Sequence, residues 1–294
     1  MLEPILLQWN YMVWQIYLII SILFISLNSL FHRSLMKNDK SNPQAQTIVF
    51  LGLGGIIAFI ITLFSGHLQL TIPPSLTFNF ILLVLLSIPA YLLTYRAYQL
   101  IGASEVVLFL ATGSLWTVFG AFLFLHEAVT FQKILGAIIV LTGLIIVLYD
   151  KSRFTLNRGA IFALLAALFF GLSNINSFYI LKTFDARSFL IYAEFLPVFA
   201  LLLIQPRVVK KLKYYFHMGN GIKAILLGLC DALGSLALFL SFQAGGQASV
   251  IGPLSTTRVL LTVILAMLIL RERNNITNKI IGAVVTIVGV ILLL

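Results

Sequence analysis

The sequence predicts an all-α integral membrane protein of ten transmembrane helices, arranged as a five-plus-five inverted-topology repeat. Three observations carry that prediction: an extreme apolar composition, ten apolar runs of spanning length, and an internal duplication. Of 294 residues, 61% are hydrophobic and only 10% are charged, whereas a soluble domain carries about 25% charged residues. With a mean hydropathy of +1.07, a water-soluble fold of this length could not hide its apolar surface. That excludes a soluble enzyme, a disulfide-built secreted domain and a disordered tail. The single cysteine, Cys230, excludes an intrachain disulfide and a cysteine-cluster metal site. A net charge of +10 in a soluble protein would point to nucleic acid. Here it reads as basic membrane loops, with no nucleic-acid partner expected.

A helix needs about 20 apolar residues to cross the hydrocarbon core. Such runs occupy residues 12–31, 46–66, 76–98, 104–125, 131–149, 158–181, 188–205, 222–244, 247–270 and 277–294. The first is closed by the polar stretch Lys37 to Gln46. Pro73-Pro74 separates the second from the third. The charged stretch Asp150 to Arg158 divides the fifth from the sixth, and the basic run Arg207 to Lys213 follows the seventh. Period-two alternation is absent, so a transmembrane barrel is not expected. The loops are too short for a soluble domain. Residues 1–15 carry no basic n-region and no small-residue cleavage site, so a cleavable signal peptide is not expected.

Residues 133–148 (KILGAIIVLTGLIIVL) and 279–294 (KIIGAVVTIVGVILLL) agree at seven of sixteen positions, including Gly136/Gly282, Ala137/Ala283 and Gly143/Gly289. Just upstream, His126-Glu127 corresponds to Arg271-Glu272. The first helices of the two halves match more weakly, through Phe24/Phe169, Leu27/Leu172 and Lys37/Lys182, at an offset of 145. Both also hold a polar pair, Asn28-Ser29 and Ser173-Asn174. The repeats are expected over residues 1–150 and 151–294. An odd number of spans per copy makes the second copy enter the membrane from the opposite side. That is the build of many secondary transporters, with a site near the midplane.

Ten spans in this arrangement, Glu127 and Glu272 closing the fourth and ninth helices, and Gly-Ala with a second Gly seven residues on in the fifth and tenth resemble the EamA type of the drug/metabolite transporter superfamily. The resemblance covers essentially the whole chain. Where the family commonly has Gly before the glutamate, this chain has His126 and Arg271. Where it commonly has tryptophan in the first and sixth helices, Phe24 and Phe169 lie nearby. The resemblance implies transport by alternating access. It also implies that the fifth and tenth helices pack together, or against another copy, away from the cavity.

Gly136 with Gly143, and Gly282 with Gly289, share one helix face and suit close backbone packing. Thr130 and Thr277 stand where N-caps belong. Glu127 and Glu272 sit at membrane boundaries and read first as packing residues, with gating as the alternative. Ionisable groups at mid-span mean more, because each costs about 2.5–3.5 kcal/mol on insertion scales. Glu194, Asp231 and Arg258 are of this kind, all in the second half, while Arg96 lies nearer a helix end. Either Asp231 and Arg258 form a structural ion pair, or these residues bind substrate or protons. Asp231 and Ser235 share a helix face, as do Ser255, Arg258 and Thr262, just after the loosening pair Gly252-Pro253. Ser87, Tyr91, Thr94 and Tyr98 form a polar stripe, beside which Tyr95 and Arg96 are further candidates. Asn28, and Asn174 with Ser177, add polar groups. Pro89, Pro197 and Pro253 free backbone carbonyls within spans. Serine and threonine hydroxyls carry the weakest signal, since they often bond their own helix.

No phosphate loop, HExxH or metal-ligand cluster is present, so no cofactor, enzymatic activity or ATP-driven transport is expected. The sequence therefore points to a secondary transporter, with no catalytic role. Its cargo would be a small polar metabolite, an amino acid or related compound, exported across a plasma membrane such as the bacterial inner membrane. Its partners would be that solute, the bilayer and coupling protons, with the protein a monomer or homodimer. The alternatives are a cationic-drug exporter, disfavoured by the lack of an acid in the first span, and a non-transporting scaffold or intramembrane enzyme. Loops after odd-numbered helices carry fifteen basic residues and those after even-numbered helices three. The positive-inside rule thus places both termini outside, whereas the family resemblance implies termini inside.

Overall fold

The computed structural model describes residues 3–36, 42–66, 68–101, 106, 109–128, 130–148, 157–261, 264–265 and 276–293. Lys37, Ser152, Thr262, Arg271 and Glu272 lie outside the described residues. The described regular structure is helical: α1 (Glu3–Met36), α2 (Pro43–Ser65), α3 (Thr77–Leu100, entered through a 3-10 turn at Pro74–Leu76), α4 (Gly113–Phe124), α5 (Phe131–Leu148), α6 (Arg158–Leu181), α7 (Ala186–Ile204), α8 (Met218–Gln243), α9 (Ala248–Ser255) and α10 (Ile276–Leu293). Five are long and apolar enough to span a membrane by themselves, in α2, α3, α6, α7 and α8. Shorter apolar stretches lie in α1, α5 and α10 and over Phe109–Phe124. The protein is an all-helical membrane protein.

Helix ends follow local chemistry. Asn42 caps α2 by accepting from the Ala45 amide at 3.1 Å, and Pro43 occupies the first turn, where its missing N–H costs nothing. The same helix closes on Gly66 at φ 71°, a left-handed turn that glycine adopts without strain. Asp185 caps α7 through the Arg187 and Ser188 amides. Thr130 caps α5 at 3.3 Å through the Lys133 amide. Thr277 instead lies inside the described part of α10.

Two compact units emerge, and each draws on both sequence halves. The first comprises Met1–Val84 and Asn176–Gln247; the second comprises Leu85–Ile175 and Ala248–Leu294. In the first, α1 packs on α8, and α2 packs on both α7 and α8. In the second, α5 packs on α10 and α4 on α9. The α5–α10 seam is glycine-lined: a Cβ on Gly289 would lie 2.6 Å from the Val140 amide nitrogen and 2.9 Å from the Gly136 carbonyl oxygen. The outer sides of these two helices expose Ile134, Ile138, Ile281, Val284, Ile287 and Ile291, as lipid contact requires.

Candidate functional site

In the first unit, three helices bring polar groups to one buried point. The α2 sequence around Gly52–Gly55 carries little side chain, so its neighbours approach closely. A Cβ on Gly55 would meet the Phe195 ring at 2.9 Å, and one on Gly228 of α8 would meet Leu53 at 2.7 Å. Between these contacts lies Gly54. Its missing Cβ would stand 3.1 Å from Glu194 Oε2 of α7 and 3.3 Å from Asp231 Oδ2 of α8. Both acids are deeply buried, Glu194 at 4% exposure and Asp231 at 8%. Asn28 of α1 donates from Nδ2 to Asp231 Oδ1 and to the Leu227 carbonyl, both at 3.4 Å. Glu194 Oε2 has no hydrogen-bond partner among the described residues. Pro197, one turn beyond Glu194 in α7, removes the N–H that the Ala193 carbonyl would otherwise accept. Ser235, one turn beyond Asp231 on α8, is half-buried.

The second unit contains Arg258 at a helix break. After α9 ends at Ser255, Thr256 and Thr257 form a turn and helical backbone resumes at Arg258. The turn is stitched by i→i+3 bonds: the Thr257 amide donates to Leu254 O at 3.0 Å, and the Leu260 amide donates to Thr257 O at 2.9 Å. Residues 145 earlier repeat the pattern, with the Thr112 amide bonded to Phe109 O and the Leu115 amide to Thr112 O. Each central threonine also donates its hydroxyl to the same carbonyl, Thr257 to Leu254 O and Thr112 to Phe109 O. Broken helices at membrane depth free backbone groups for ligands. Arg258, half-buried, follows one break; Gly113 follows the other.

The remaining candidates distribute as follows. Tyr91 stands edge-on to Phe170, with ring centroids 5.2 Å apart, and Tyr95 is buried on the same helix. Arg96 and Asn174 are exposed. Ser255 donates to Gly252 O and Thr94 to Ala90 O, both within their own helices. The structure thus gathers Asn28, Glu194 and Asp231 in the first unit, while Arg258, Ser255, Tyr91 and Tyr95 lie in the second. Sequence reasoning missed Asn79 and Asn176, which exchange hydrogen bonds: Asn79 Nδ2 to Asn176 Oδ1 at 2.9 Å, and Asn176 Nδ2 to Asn79 O at 2.8 Å. An amide in an apolar helix must find a partner, so that signal was available.

Glu127 has a structural role. Its two carboxylate oxygens accept from the Ala248 amide at 2.8 Å and the Ser249 amide at 2.9 Å, clamping the start of α9 where the helix dipole favours an anion. The residue before it, His126, has φ 55°. That left-handed conformation is one that glycine adopts without strain and a side chain does not.

The model of the EamA-like transporter family matches residues 12–149 and again 157–294. No curated protein matches the sequence. A solved structure described only as the crystal structure of a protein is similar in fold, with a TM-score of 0.77 at 16% identity over 94% of each chain. Two copies of one family model across nearly the whole length agree with the duplicated glycine seam and the duplicated helix breaks. The chain therefore belongs to the EamA-like transporter family of the drug/metabolite transporter superfamily.

Proposed function

We propose that this transporter exports a small polar metabolite, an amino acid or related compound, across the plasma membrane in exchange for protons. Residues 1–150 and 151–294 act as the two inverted repeats whose alternating access moves the solute. The carrying observation is the convergence of Glu194 and Asp231 on Gly54, with Glu194 Oε2 unpartnered. Each buried ion in a span is costly, and two adjacent carboxylates repel when both are ionised. A pair of this kind holds one proton between its members and gives it up when water or a cationic group reaches it. Arg258, at the break after α9, supplies the opposite charge for a carboxylate or phosphate. With no nucleotide-binding motif in the chain, an ion gradient is the available energy source.

Flux in reconstituted vesicles, with and without an imposed proton gradient, tests this. Thermal stabilisation of the purified protein by candidate solutes selects the cargo to be followed. The gradient is expected to accelerate flux in the native protein, and the Glu194→Gln/Asp231→Asn double variant is expected to lose that acceleration. Equal rates with and without the gradient would remove proton coupling, and absence of flux for every solute would favour a scaffold. A second reading, a purely cationic solute, is favoured by the unpartnered Glu194 oxygen. It requires flux to survive Arg258→Ala.

A further inference from the structure

The basic run after α7 is held in place at its two ends, while its charged side chains are exposed. Val208 and Tyr215, both buried, anchor its two ends. The Tyr215 hydroxyl accepts from the Asn42 amide at 3.2 Å, donates to the Asn42 carbonyl at 3.3 Å, and lies 3.5 Å from Gln46 Oε1. Burial pushes the Tyr215 phenol up to about 12, so it stays neutral in this network. Between the anchors, a single helical turn (Val209–Leu212) displays Lys210 and Lys211, with Arg207 and Lys213 beside it. All four are exposed, and this stretch of the sequence holds no Asp or Glu between Glu194 and Asp231.

Beneath Arg207 and Lys211 is a pocket of about 360 Å³, lined also by Gln44, Gln205, Ile204 and Val208. Among the described residues its lining combines two cations and two amides with apolar side chains, and holds no acid. Ile204, at 67% exposure, reaches it from the last turn of α7, and Leu203, at 84%, lies exposed just before it. A soluble anion has no use for that apolar approach. A phospholipid needs both parts: a headgroup phosphate for the cations and acyl chains for the exposed leucine and isoleucine. We infer that this pocket is a binding site for an anionic phospholipid, with Arg207 and Lys211 holding the phosphate and Gln44 and Gln205 contacting the polar headgroup.

The test uses the full-length protein in neutral detergent, titrated with short-chain phosphatidylglycerol while its Tm is followed. Phosphatidylcholine of the same chain length and soluble glycerol 3-phosphate are the comparison titrants. Phosphatidylglycerol is expected to raise Tm at lower concentration than either. Arg207→Gln/Lys211→Gln is expected to weaken its apparent affinity by roughly 25-fold, about fivefold for each basic residue. Lys210→Gln/Lys213→Gln, outside the pocket, should weaken it by less than about fivefold. Equal losses in the two double variants would overturn the site in favour of diffuse surface charge. Equal potency of phosphatidylcholine would overturn the charge selectivity, and equal potency of glycerol 3-phosphate would overturn the lipid. If the unliganded Tm of the first double variant falls, Lys211→Gln alone is read against Lys210→Gln by the same criteria.

Discussion

The breaks at Thr112 and Thr257 are the same structure made twice, down to the amide and hydroxyl that share one carbonyl. They differ in the residue that follows. Gly113 is closed over by α6, since a Cβ there would stand 2.9 Å from the Ala167 carbonyl oxygen. Its counterpart is Arg258. Duplication supplied two weakened helices, and among the positions where they diverged, one holds a glycine packed under α6 and the other an arginine. The two carboxylates in the first unit tell the same story: Glu194 and Asp231 both belong to the second repeat and converge on a glycine of the first.

The largest effect is expected from making the breaks alike. Gly113→Arg forces a side chain against the Ala167 backbone, and overpacking costs about 1–3 kcal/mol or more. The variant should fail to accumulate as folded protein, as read by size-exclusion chromatography of the solubilised membrane fraction. If it folds and transports normally, the asymmetry is not steric. The reciprocal change, Arg258→Ala, should fold normally and reduce flux by about 10–100-fold, the range for losing a charged hydrogen bond. Unaltered flux would leave the charge without a role in moving the solute.

Upstream of the Arg258 break, Glu127→Ala leaves two amides of the α9 start without their acceptor, a loss of about 1–3 kcal/mol. A drop in Tm in Glu127→Ala, smaller in Glu127→Gln, is the expected reading. An unchanged Tm would mean that water replaces the carboxylate.

Tyr215→Phe, outside both breaks, serves as a control and should cost about 1 kcal/mol near neutral pH through its lost hydrogen bonds. The folded-state value lies above the ordinary 10.0. Its contribution is therefore fully present below pH 10 and lost as pH rises towards about 12. The Tm gap between native protein and variant should close across that interval, and a gap independent of pH would contradict the burial assigned to the phenol. The smallest effect is His126→Gly. Relief of a left-handed residue, about 1–2 kcal/mol, is offset by about 0.5–1 kcal/mol of glycine entropy. A net gain of about 0.5 kcal/mol should appear as a slight rise in Tm.

The spans were legible because apolar runs of membrane length leave few other readings. The helix breaks were not. Thr112 and Thr257 lie among apolar residues, and hydropathy is blind to whether a carbonyl accepts from three or four residues on. Pro253 signalled weakness, but the turn falls at Thr256–Thr257, just after it. Glu194 and Asp231 stood out because charge in an apolar run is expensive. Their meeting point did not, since Gly54 has no side chain to announce it and the three elements are joined only by the fold. The partner of Glu127 was hidden for a related reason: it is backbone, at residues 248 and 249.

The interleaving of the units has a consequence for biogenesis. The first unit needs residues 176–247 to complete what residues 1–84 begin, and the second opens and finishes around it in the chain. At about 5–20 residues per second, synthesis of residues 85–175 occupies roughly 5–18 s. During that interval the early helices sit in the bilayer without their permanent neighbours. Gly54 and Gly55 then face lipid or whatever chain is nearby, and the amides that hold the glutamate at 127 are made later still, at 248 and 249. Assembly of this protein is therefore a late event, and a nascent chain stalled after its first repeat holds two unfinished pieces rather than one finished half.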